Sequence, residues 1–176
     1  LGEATRQVCA GEIFQLVKRG DDELSVEEYL DIVSGKTGAL LVACAQLGGG
    51  LGTNNVDLLQ GLGTYANHLG IAFQIRDDIL DADSSSEKIG KSAGRDAALG
   101  KLTLPGILAR NSSGSKLPLN VDCRRDFIVE HGGFLKAHEF ACDHVTKAIH
   151  ALDIFEDQPA RDRLIQFANQ SVLRKA

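Results

Sequence analysis

The chain of 176 residues has no methionine, no tryptophan and no cluster of lysine or arginine. Without methionine, Leu1 is not a translation start. The chain is expected to be a piece of something longer that opens directly on a helical pattern. A nucleic-acid surface needs a basic footprint to displace counterions, so a net charge of −5 without such a footprint argues against a nucleic-acid partner. The four cysteines, Cys9, Cys44, Cys123 and Cys142, form no Cys-x-x-Cys pair and have no histidine at zinc spacing. They are expected to be buried free thiols, which suits a reducing, cytoplasmic compartment. No run approaches the roughly 18 apolar residues of a membrane span, and no signal-type segment is visible, which leaves open a leader further upstream.

What is present is helical. Hydrophobic residues make up 43% of the chain, enough for one domain with a substantial core. Leucine, alanine and charged residues recur at helical spacing, alternating strand patterns are missing, and the class is all-α. A first helix is predicted from Leu1 to Arg19, stopping at Gly20. Ser25 with Glu28 forms a capping box for a second, which runs to Gly48-Gly49-Gly50. Asn54 or Asn55 caps a third, whose apolar positions Leu58, Leu62, Tyr65, Leu69, Ala72 and Ile79 lead up to a group of aspartates. Residues from Asp83 to Gly100 are small, polar and glycine-rich, which predicts an exposed loop with one short helical turn. A helix restarts at Leu104-Pro105, a polar break covers Asn111 to Asn120, and helices follow at Asp122–His131, Phe134–Leu152 and Pro159–Arg174.

The third helix carries the strongest chemical signal. At about 100° per residue, Gln74, Asp77, Asp78 and Asp81 share one narrow arc, and Ala72, Phe73, Ile75, Ile79 and Leu80 cover the rest. Like charges at i, i+4 cost a helix roughly 0.2–0.5 kcal/mol. Acids near a helix C-terminus also oppose the macrodipole, so a cation is needed to offset the arrangement. Magnesium accepts a few carboxylate oxygens, keeps several waters and takes its remaining ligands from substrate phosphates, which suits clustered aspartates with lysines nearby. Lys36, Lys91 and Lys101 are those lysines, and glycines beside the last two permit close approach to an anion. Gly11 inside the first helix costs about 1 kcal/mol against alanine and implies close packing there by a neighbour or a product chain.

Several separated pieces line up: Gly11-Glu12-Ile13-Phe14-Gln15, Gly35-Lys36-Thr37, Phe73-Gln74, Asp77-Asp78-Ile79-Leu80-Asp81, Gly90-Lys91, Gly94, Asp96 and Gly100-Lys101-Leu102-Thr103-Leu104-Pro105. In order, spacing and helix context they resemble the trans-isoprenyl (polyprenyl) diphosphate synthases, and the medium- and long-chain type in Gly11-Glu12 with Gln15. The resemblance implies a helical bundle of the isoprenoid synthase type around a central cavity, of which residues 1–176 form the C-terminal part of a single domain, and a homodimer. It implies addition of isopentenyl diphosphate to an allylic diphosphate to make an all-trans polyprenyl diphosphate. Asp77, Asp78 and Asp81 would hold magnesium, and Lys36, Lys91 and Lys101 would bind the diphosphate. Thr37 and Gln74 would face the reacting carbons. Glu12 and Gln15 read as structural, and Asp96 as a hydrogen-bond partner of the loop lysines.

One departure is large. The family's first aspartate-rich motif has no counterpart here, since Asp21-Asp22 sits in a turn and lacks both a spaced third acid and following arginines. The chain alone is therefore expected to be inactive, self-associating through exposed apolar faces, and completed by an N-terminal half or a complementary subunit. A non-catalytic partner that binds and regulates a complete synthase is the competing reading. A terpene cyclase is disfavoured because Asp21-Asp22-Glu23-Leu24-Ser25 is followed by Tyr29 where a metal-binding glutamate is needed.

Overall fold

The computed structural model describes residues 1–83, 96 and 99–173. Among them there are helices and no strand. Helix α1 (Gly2–Val17) ends in a turn in which Gly20 adopts φ 78°, the left-handed backbone that favours glycine. Ser25 caps α2 (Val26–Val33) by the expected box: its hydroxyl accepts the Glu28 N–H at 3.1 Å, and the Glu28 carboxylate accepts the Ser25 N–H at 2.9 Å.

The second predicted helix is not one regular helix. Five π-helical residues, Ser34–Gly38, join α2 to α3 (Ala39–Gly50). The three glycines form its last turn and it ends at Gly50, as expected, with Leu59 and Leu62 of the following helix packed beside Gly49. That helix, α4 (Val56–Asp83), starts at Asn55, whose side-chain oxygen accepts the N–H groups of Asp57 at 2.9 Å and Leu58 at 3.4 Å. Helix α5 (Leu104–Ser113) continues past the expected break at Asn111 and stops at Gly114, φ 65°. Helices α6 (Val121–Glu130), α7 (Gly133–His150) and α8 (Pro159–Leu173) complete the chain.

Helix α4 is the axis around which the others pack. Its buried face of Ile71, Ala72, Ile75 and Ile79 meets Tyr29, Ile32 and Val33 of α2 and Leu104 and Ile107 of α5. Against α7 the partners are Ala137, Ala141, Val145 and Ala148, small side chains that let two helices lie close along their length. Two expectations need correction. The helical stretch from Val26 to Gly50 is long and apolar enough, by length and mean hydropathy, to cross a membrane, although no unbroken apolar run marks it. It packs against α1 and α4. The cysteines are free but not buried: Cys9, Cys44 and Cys123 are exposed and Cys142 is half-buried, each off the packed face of its own helix.

At the crossing of α1 with the π-turn the backbones touch. A side-chain carbon on Gly11 would lie 2.8 Å from the Lys36 nitrogen and 3.1 Å from the Gly35 carbonyl carbon. The neighbour foreseen at Gly11 is thus the π-turn itself. Gly11→Ala should gain about 1 kcal/mol in helix propensity and lose more, about 1–3 kcal/mol, to overpacking against rigid backbone. Net destabilisation in urea denaturation is the expected result.

Helices α4 and α7 also share a polar contact, His68 Nδ1 to His144 Nδ1 at 3.0 Å with ring centroids 5.0 Å apart. Burial, then the facing imidazole and Lys147, push His144 down to about 4, with Asp143 opposing. His68 is lowered as well, chiefly by burial. Both rings are therefore neutral in the fold at neutral pH, whereas in the unfolded chain they take up protons near pH 6.5. The contribution of His144 is fully present above pH 6.5 and is lost as pH falls toward about 4. Urea midpoints should decline across that window, and less steeply in His144→Asn.

Candidate active site

The π-turn is where the site begins. Widening the helix at Ser34–Gly38 brings Lys36 and Thr37, adjacent in sequence, to the same cavity, a use of π-bulges common at functional sites. Lys36 Nζ lies 2.6 Å from Glu12 Oε2 and donates to Gln15 Oε1 at 2.8 Å. The ammonium holds the Glu12 carboxyl below its ordinary range. Glu12 and Gln15 are therefore structural in a specific sense: they hold the Lys36 ammonium above α1. Both charged side chains remain partly solvated, and such pairs contribute only about 0–1 kcal/mol. A polyanion can compete for this lysine.

Asp78 is the centre of the site and is buried, at 4% exposure. Its Oδ2 accepts the Tyr29 hydroxyl at 2.7 Å and its Oδ1 accepts Gln74 Nε2 at 2.9 Å. Thr37 Oγ1 donates to Gln74 Oε1 at 3.2 Å. Hydrogen bonds to a charged group contribute roughly 1.5–3 kcal/mol each. Desolvation is the larger effect: burial pushes Asp78 up to about 7 even though Tyr29 and Gln74 pull it down. Tyr29 is raised well above the ordinary phenol range by its own burial and by the facing carboxylate, so it stays a donor. The expected acidic face is thus not a simple solvated arc. Where α4 passes α2 and the π-turn, its inner edge is a buried polar layer.

Lys36, Thr37, Gln74, Asp78 and Lys101 line one cavity of about 50 Å³, together with Gln15, Tyr29, Asp96 and Thr103. Lys101 pairs with Asp96 at 3.0 Å, and the Asp96 N–H is donated to Asp81 Oδ2 at 3.2 Å, as expected of a partner to the loop lysines. Asp81 lines the adjoining cavity with Asp96, Lys101 and Thr103. Asp77 and Asp81, one turn apart on α4, are half-buried. Among the described residues no three aspartate, glutamate, histidine or cysteine side chains converge as a ligand set. Magnesium itself takes one or two carboxylates and fills its remaining positions with water and phosphate oxygens. Of the three expected ligands Asp77, Asp78 and Asp81, Asp78 accepts from Tyr29 and Gln74, and Asp81 accepts the Asp96 N–H. Lys91, with Gly90 and Gly94, lies outside the described residues.

Tyr29 is the residue the sequence reading overlooked, having weighed it only as a mismatch to a cyclase motif. Its place seven residues, about two helical turns, before Lys36 was an available signal. Asp21 is confirmed as a turn residue, accepting Lys18 Nζ at 3.0 Å and the Glu23 N–H at 2.9 Å.

A family model described as polyprenyl synthetase matches residues 1–125. The octaprenyl diphosphate synthase of Escherichia coli K12 is 32% identical over 99% of this chain and 58% of its own length. The nonaprenyl diphosphate synthase of Mycobacterium tuberculosis is 29% identical over 99% of this chain and 56% of its own. Among solved structures, a polyprenyl synthase from Caulobacter crescentus, complexed with calcium and isoprenyl diphosphate, superposes with TM-score 0.90 at 32% identity, covering 100% of this chain and 58% of that one. A decaprenyl diphosphate synthase from Rhodobacter capsulatus superposes with TM-score 0.87 at 30% identity, covering 98% and 57%. The chain spans somewhat more than half the length of these relatives. With its all-α isoprenoid synthase fold, its matched residues and its likeness to octaprenyl and nonaprenyl diphosphate synthases, the chain belongs to the polyprenyl synthetase family.

Proposed function

We propose that this chain is the C-terminal part of a prenyltransferase that joins isopentenyl diphosphate to an allylic diphosphate, making an all-trans polyprenyl diphosphate of medium or long chain. The observation that carries the reading is the convergence of Lys36, Thr37, Gln74, Asp78 and Lys101 on one cavity. Breaking the allylic carbon–oxygen bond leaves a carbocation and a highly charged diphosphate. Lys36 and Lys101 are fixed ammonium groups for that leaving group, and each already sits beside an acid that a stronger anion can displace. A magnesium ion held by Asp77 and Asp81 would supply further neutralisation of the departing oxygens. Lys91 is assigned to the same diphosphate by its sequence motif alone.

The cation needs uncharged oxygen dipoles and a dry wall, which Thr37 and Gln74 provide beside Ile32, Val33 and Leu102. Attack by the isopentenyl double bond forms the new carbon–carbon bond, and the departing diphosphate takes the proton that is lost, so no protein base is needed. The remaining two-fifths of the relatives' length corresponds to an N-terminal half, on the same polypeptide or a second subunit, which supplies the opposing acids. Apolar side chains exposed on α1 and α3, among them Ile13, Val17, Leu40 and Leu47, are the surface available to it and to a second copy in a homodimer. The exposed free thiols accord with a reducing, cytoplasmic setting.

In the full-length protein, Asp77→Ala should lower elongation of an allylic diphosphate about a hundredfold or more, and chelation of magnesium should abolish it. Retained turnover in Asp77→Ala sinks the reading. Lys36→Ala should raise the allylic KM as well as lower kcat. Absence of turnover in the unmodified protein, together with stimulation of a separate complete synthase, favours the regulatory-partner reading instead.

A further inference from the structure

A cation beside Thr37 and Gln74 is stabilised only if their oxygen lone pairs, and not their protons, point toward it. A threonine hydroxyl rotates freely, and an amide presents either end, so something else must fix the polarity. The fixing runs outward from Asp78. With the Tyr29 hydroxyl on Oδ2, the Gln74 amide donates its Nε2 to the other oxygen, Asp78 Oδ1, at 2.9 Å. That leaves Gln74 Oε1 facing Thr37, whose single proton is donated to it at 3.2 Å. Both lone pairs of the Thr37 oxygen are then available to the cavity. Were the amide reversed, its NH2 would face Thr37, the hydroxyl would accept, and its proton would turn inward against the cation.

Asp78 is itself held from behind. The Tyr29 hydroxyl reaches Oδ2 at 2.7 Å from α2, with the ring 4% exposed in the core beside Ile32 and Val33. This bond commits one carboxylate oxygen and turns the other to Gln74. We propose that Tyr29 is a positioning residue that, through Asp78, holds the Gln74 amide and the Thr37 hydroxyl with their oxygens toward the developing allylic cation. The inference rests on the prenyl-transfer reading and adds to it a polarity relay, Tyr29 to Asp78 to Gln74 to Thr37, that begins on a different helix from the one bearing the aspartates.

The test is Tyr29→Phe in the full-length protein, which deletes the hydroxyl and keeps the ring. Steady-state elongation is measured alongside binding of two probes: a neutral, uncleavable allylic thiolodiphosphate, and an ammonium analogue of the allylic cation presented with inorganic diphosphate and magnesium. The relay requires kcat to fall about tenfold or more with the allylic KM unchanged within about twofold. It also requires the ammonium analogue to lose about tenfold in affinity while the thiolodiphosphate does not. Equal losses for both probes mean a merely structural contact and overturn the proposal, as does an unaltered response to the ammonium analogue. Should Tyr29→Phe fail to fold, the same split between the two probes is required of Gln74→Met, which keeps the length of the side chain and deletes both ends of the amide. Unmodified protein that binds neither probe overturns the prenyl-transfer reading, and the relay with it, a result distinct from failure of the relay alone.

Discussion

A carboxylate removed from water has to be given donors, and the placement of Asp78 disciplines everything around it. Its two partners come from α2 and from α4 itself, so Tyr29 must sit at one depth and Gln74 must keep one rotamer. Helix α2 is thereby tied to the axis of the fold at a polar point inside an otherwise apolar seam. The π-turn that follows then has a fixed starting height, and Lys36 and Thr37 follow from it. Loss of the Asp78 contacts would leave the apolar packing in place but remove the constraint on how α2 and α4 are aligned.

Charge in the site is arranged in short alternating steps: Glu12 beside Lys36, Asp96 beside Lys101, and Asp81 receiving the Asp96 backbone N–H. Each step is partly solvated and individually weak. Such an arrangement keeps lysines in place without binding them tightly, whereas the buried polar layer behind them is held by its own hydrogen bonds. Mobile charge in front of a fixed polar wall suits a cavity that must exchange one polyanion for another.

Helix identity was legible because amphipathic spacing and capping chemistry are local: the Ser25–Glu28 box and Asn55 can be read from a few neighbouring residues. The π-turn was not legible, since Ser34–Gly38 has good enough helical neighbours on both sides and the backbone it packs against, at Gly11 of α1, is distant in sequence. The site residues could be named from a pattern of matching positions, and five of them do share a cavity. Their roles were less accessible. On a helical wheel Asp77 and Asp78 stand about 100° apart at the two edges of the acidic arc, but only the arrival of Tyr29, 49 residues away in sequence, gives Asp78 its buried partner. The cysteines erred in the opposite direction, because a general tendency to burial says nothing about which face of a particular helix meets its neighbours.

The insertion within α2 and α3 has one further result. A π-turn shifts the phase of a helix, so the residues before Ser34 and those after Gly38 belong to two separate helical wheels. Each half can therefore adjust its own facing to its own neighbours, and the join at Lys36 and Thr37 behaves like a gear offset between them. Lengthening or shortening the chain by a single residue on one side would leave that half intact and turn the chemistry away from its cavity.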